Sequence, residues 1–68
     1  MMSVREYGEG VIYVAFPPHG KYGEFKAPDG MIDWLKENTE PEWGHVNGHL
    51  AGVFLEQEDA VIFKLRWM

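Results

Sequence analysis

The chain has 68 residues, no cysteine, 46% hydrophobic and 15% aromatic residues, and a formal net charge of −5 from eleven acidic and six basic side chains. That length allows a single α+β domain spanning residues 1–68, and the lack of thiols excludes disulfides and thiolate-bound metals. The composition is too apolar for a disordered segment, and the acidic balance opposes nonspecific nucleic-acid binding, which needs a basic footprint.

Residues 1–10 are polar and glycine-rich, and are expected to be mobile at their start. They carry Arg5, Glu6 and Glu9 and lack the apolar stretch of a signal peptide. The longest apolar runs, residues 11–16 and 50–55, are too short to span a bilayer. A soluble, cytoplasmic protein is expected.

Val11-Ile12-Tyr13-Val14-Ala15-Phe16 reads as a strand, β-branched and aromatic, between Gly10 and Pro17-Pro18. It is apolar on both faces, which predicts a central strand covered on both sides. Residues 17–28 contain Pro17, Pro18, Gly20, Gly23 and Pro28, and read as a long loop anchored by Tyr22 and Phe25. Asp29 stands where a helix N-cap belongs. The helix it predicts carries Met31, Ile32, Trp34 and Leu35 on one stripe and ends at Asn38, Thr39 and Pro41.

Asn47-Gly48 predicts a type I′ hairpin joining residues 42–46 to 49–57. A two-residue loop sets Val46 opposite His49, His45 opposite Leu50 and Trp43 opposite Gly52. Trp43, Leu50 and Phe54 then share one face, and Val46, Ala51, Val53 and Leu55 the other. Residues 60–67 carry two patterns. A strand alternates Val61, Phe63, Leu65 and Trp67 with Ile62, Lys64 and Arg66. A helix capped by Asp59 puts Ala60, Phe63 and Trp67 on one face. The acidic start and the cations near the end favour the helix. The resulting order, β-α-β-β-α, is a small ferredoxin-like unit lacking its last strand, an antiparallel sheet with helices on one face. Its second apolar face needs a cover: the 17–28 loop, a second copy or a partner.

The segment Glu58-Asp59-Ala60-Val61-Ile62-Phe63-Lys64-Leu65-Arg66-Trp67 follows Val53-Phe54-Leu55. It resembles the end of small, uncharacterised tailed-bacteriophage proteins, which close on an acidic-Asp-Ala-x-x-Phe-Lys-Leu-Arg-Trp stretch after a Phe-rich strand. The resemblance covers about ten residues. It implies a phage origin, hence a host cytoplasm, and carries no activity or functional residue with it.

His45 and His49 have the spacing of a helical metal pair, but Asn47-Gly48 between them turns the chain and sets them on opposite faces of a ribbon, so no metal site is expected. The aliphatic hydroxyls are Ser3 and Thr39 alone, and neither sits in a nucleophile elbow. Gly8-Glu9-Gly10 precedes a strand, whereas a dinucleotide fingerprint follows one. No enzyme and no cofactor is expected. The aromatics outnumber what so small a core needs, and interfaces are enriched in them. Tyr22, Phe25 and Trp43, with the acidic Glu56, Glu58 and Asp59, are the candidate partner-binding residues. The expected function is a small non-enzymatic protein-binding module, a phage accessory protein that modulates or inhibits a host or phage protein by occupying its surface. The alternatives are an acidic protein that associates with nucleic acid or occludes a nucleic-acid site, and a homodimeric structural or assembly subunit. Aromatics on a sheet also stack bases, but cations are scarce here and nucleic acid is the weaker partner.

Overall fold

The apolar run at residues 11–16 forms strand β2 (Ile12–Ala15), with a neighbouring strand on each edge. The computed structural model of the protein describes residues 2–68. Along the chain come β1 (Ser3–Glu6), a 3-10 turn (Gly8–Gly10), β2, the short strands β3 (Pro18–His19) and β4 (Glu24–Phe25), helix α1 (Met31–Asn38), β5 (Glu42–Val46), β6 (His49–Leu55) and helix α2 (Gln57–Trp67). The main sheet has four strands in the order β1-β2-β6-β5, all antiparallel to their neighbours. The fold is therefore α+β, with a four-stranded antiparallel sheet and two helices.

Alternation along the central strands sorts the sheet into two faces. Ile12 lies opposite Leu55 and Val14 opposite Val53. These four side chains are fully buried and form one cluster with Phe16, Met31 and Leu35 of α1, and Ala60 and Phe63 of α2. Both helices thus cover the same face. Trp34, Trp43, Leu50, Phe25 and Trp67 are half-buried and pack around this cluster. Trp34 meets both Phe63 and Trp67 edge-on, with centroids 6.3 and 6.2 Å apart.

Several local expectations need correction. β1 pairs with β2 from Ser3 opposite Ala15 to Glu6 opposite Ile12, so the polar leader supplies an edge strand. The order β-α-β-β-α accordingly gains a strand at its front. The 17–28 loop contains a small hairpin, β3 with β4, with Pro18 opposite Phe25. Asp29 does not cap α1. Gly30 takes the N-cap position with φ +81°, a left-handed conformation that suits glycine, and no side chain caps the helix. The helix stops where expected, with the Thr39 hydroxyl and backbone N–H both donating to the Leu35 carbonyl.

The hairpin turn has φ +51° at Asn47 and +80° at Gly48, as a type I′ turn requires. Val46 lies opposite His49 and His45 opposite Leu50. A bulge then shifts the register, so that Gly44 faces Gly52 and Trp43 faces Val53. Trp43 therefore does not cover Gly52 or share a face with Phe54. It joins Val53 on the helix-covered side. The space beside Gly52 is taken instead by Tyr13, whose ring end would meet any Cβ placed there. β6 ends at Leu55 rather than at residue 57, because α2 starts at Gln57, three residues earlier than a cap at Asp59 would have it. Glu56 holds the N-cap position, and the Asp59 carboxylate accepts a hydrogen bond from the Glu40 backbone N–H at 3.0 Å. Asp59 thus ties the first turn of α2 to the segment after α1.

Candidate functional site

The six residues singled out in the sequence do not form one patch. Tyr22 is 84% exposed in the turn between β3 and β4. Phe25 and Trp43 are half-buried against the core cluster, which gives them a packing role. The three acids do gather. Glu56, Glu58 and Asp59 line an open cleft of about 540 Å³ with Glu37, Asn38, Thr39, Glu40 and Gln57, where the end of α1 meets the start of α2. Sequence reasoning missed Glu37 and Glu40 because the turn of the chain that brings them there is tertiary. Among the described residues no group of three or more His, Asp or Glu is placed to hold a metal ion. The acids in the first turn of α2 also have a local reason to be there, since they face the positive end of the helix dipole.

A second surface runs along α2. Its inner stripe, Ala60 and Phe63, is buried. Val61, Leu65 and Met68, spaced at i, i+4 and i+7, point the other way and are 57%, 82% and 72% exposed. Ile62 widens this stripe. An amphipathic helix on a sheet needs only one apolar stripe, and α2 carries two. Glu56 and Glu58 stand at its start and Arg66 near its end. Within residues 58–67, Ala60, Phe63 and Trp67 are accounted for by the core, whereas Val61 and Leu65 are not.

A third surface is the sheet face turned away from the helices. Arg5 lies opposite Tyr13 and Tyr13 opposite Phe54. The Tyr13 and Phe54 rings are 4.6 Å apart, and Tyr7 adds a third ring 6.3 Å from Phe54. Tyr13 reaches from β2 across β6 toward β5. A Cβ on Gly52 would stand 2.5 Å from its Oη, and one on Gly44 would stand 3.2 Å from Oη and from Cε1. The glycine pair is thus the seat on which the ring rests. Together Ser3, Arg5, Tyr7, Tyr13, Ala15, Gly44, His45 and Phe54 line a groove of about 420 Å³. Within the chain this face is open: Phe54 is 37% and Tyr7 47% exposed, and no residue of the 17–28 loop lines the groove.

The chain matches no known family model, no curated protein and no solved structure. Function must therefore be read from these three surfaces. His45 and His49 sit on adjacent rungs of the hairpin, both exposed. Among the described residues no helix is long and apolar enough to cross a membrane. The signal for the α2 surface was present in the sequence, as an apolar residue at nearly every position not charged. The signal for the groove was Tyr13 and Phe54 each out of phase with a buried alternation.

Proposed function

We propose that the protein is a small non-enzymatic protein-binding module that acts in the cytoplasm and docks its partner on the outer face of α2. One observation carries this reading: Val61, Leu65 and Met68 form a continuous apolar stripe, largely exposed, on a helix already anchored by its opposite side. Exposed apolar stripes of this kind mark contact surfaces, and an i, i+4, i+7 pattern is what a helix offers to a groove. The acids at the start of α2 and the cleft beside them suit a partner with cationic side chains flanking an apolar groove. The likeness of residues 58–67 to the ends of small tailed-phage proteins supports an accessory role, in which a host or phage protein is modulated by occupation of its surface. The strand order supports reading the β2-α1-β5-β6-α2 part as a ferredoxin-like unit with β1 in the place of a last strand.

The test uses Leu65→Glu, a change at a position so exposed that folding should not suffer. Solution mass is measured by light scattering on a sizing column, beside an affinity capture from bacterial lysate. The expected result is a monomer that retains one stoichiometric protein, with retention lost in Leu65→Glu while its melting temperature stays within a few degrees of the parent. Equal retention by both chains overturns the reading. A homodimer that retains nothing and falls apart in Leu65→Glu moves the function to a self-assembling structural subunit.

A further inference from the structure

We infer that the open face of the sheet is a second binding site, for a short stretch of single-stranded nucleic acid, with Tyr13 and Phe54 as the stacking platform and Arg5 as the phosphate contact. The site lies on the opposite side of the sheet from α2, so it is independent of the docking surface proposed above.

Three observations converge on that ligand. The first is the attitude of Tyr13. Its ring is laid across Gly52 and Gly44 rather than standing in the core, because those two residues have no side chain to lift it. Tyr13 is half-buried there, with the ring of Phe54, 37% exposed, packed against it on the open side of the sheet. Aromatic rings held against a sheet in this way are what unpaired bases stack upon, and the stacking tolerates any base because every base has a π face. The second is the row of three rings, Tyr13 to Phe54 at 4.6 Å and Phe54 to Tyr7 at 6.3 Å, on neighbouring parts of one groove. This spacing serves one or two bases, and a volume of about 420 Å³ holds no more. The third is charge. The chain carries eleven acids, yet none is among the residues lining this groove, which contribute Arg5 and His45. Five of the eleven, Glu37, Glu40, Glu56, Glu58 and Asp59, gather at the α1–α2 cleft. Glu42, across the ladder from Phe54 on the edge strand, is the acid closest in register to the site. Arg5 stands opposite Tyr13, in reach of the phosphate that follows a base stacked there.

Because the net charge of −5 opposes a polyanion, stacking rather than counterion release must supply most of the affinity. That makes the salt dependence diagnostic. One phosphate neutralised by Arg5 gives a slope of log K against log salt of about −0.7 for a single strand, far shallower than that of a basic nucleic-acid binder.

The experiment is fluorescence anisotropy with a labelled oligo(dT) of about eight nucleotides, titrated with the full chain across a range of salt. Saturable binding with that shallow slope is expected. Phe54→Ala should weaken it about tenfold, the loss of one stacked base. Arg5→Gln should flatten the slope toward zero, and Glu42→Gln should tighten binding. Each variant is checked for an unchanged circular dichroism spectrum, and Leu65→Glu should bind like the parent. No saturation at low salt overturns the inference, as does binding that Phe54→Ala and Arg5→Gln both leave unchanged. Binding with a steep salt slope would assign the contact to exposed cations elsewhere and also overturn it.

Discussion

Gly52→Ala tests the sheet register and the seating of Tyr13 at once. The added Cβ would fall within forbidden distance of the Val14 carbonyl oxygen, 2.5 Å from Tyr13 Oη and 2.6 Å from Tyr13 Cζ. The tyrosine can swing away, but the carbonyl belongs to the β2–β6 ladder and cannot move without parting two central strands. Overpacking a well-filled site costs about 1–3 kcal/mol, and a backbone clash places this substitution at about 3 kcal/mol, the upper end of that range. For a domain of this size each kcal/mol lowers the melting temperature by about 4–8 °C, so a fall of roughly 12–24 °C is expected. Gly44→Ala is the control. Its Cβ would meet only the end of Tyr13 at 3.2 Å and the Gly52 carbonyl at 3.6 Å, contacts that a small ring shift relieves. It should cost about 1 kcal/mol or less. Both are read by thermal unfolding followed by circular dichroism. If Gly52→Ala melts within a few degrees of Gly44→Ala and of the parent, the register with Gly52 beside Val14 and Tyr13 is wrong.

Phe63 is the largest fully buried side chain, and Phe63→Ala should remove about 3–5 kcal/mol, comparable with the whole stability of a small domain; loss of cooperative urea unfolding is the expected readout. Asn47 holds φ +51° in the hairpin turn, so Asn47→Ala should cost about 1 kcal/mol in urea while Asn47→Gly stays near neutral. Glu6 and Lys64 form an ion pair between β1 and α2 with side chains 65% and 40% exposed. Glu6→Gln should therefore shift stability by about 0.5 kcal/mol or less, and the difference should vanish in molar salt.

Much of the fold was legible locally. The strand at residues 12–15, the end of α1 at Thr39, the Asn47-Gly48 turn and the inner stripe of α2 all follow from residue type and spacing. What was not legible depended on partners distant in the chain. Ser3–Glu6 has no strand signature of its own beyond one valine, and is a strand because the free edge of β2 accepts it. The bulge that moves Trp43 from Gly52 to Val53 places its indole against the core and leaves the glycine to Tyr13. Asp29 and Asp59 both looked like caps by type, yet Gly30 and Glu56 hold those positions, because cap identity depends on where the chain enters the helix. The acids at residues 56, 58 and 59 are near neighbours in the chain, whereas their joining by Glu37 and Glu40 depends on the packing of two helix ends. The second apolar face was legible as a face in need of a cover, but only the placement of both helices on one side shows that Tyr13 and Phe54 line it.

The pairing of β2 with β6 has a kinetic consequence. β1 with β2 and β5 with β6 are neighbours along the chain, and each pair closes over a short connection. β2 and β6 are joined across more than half the chain length, with the β3–β4 hairpin and α1 between them. Closing that long loop costs entropy before any core contact repays it. The two hairpins are thus ready early, and the rate of folding is set by the moment they dock along the β2–β6 seam. Val14 and Val53, which face each other there, are where conservative truncation should slow folding most, whereas changes on the outer side of α2 should leave the folding rate alone.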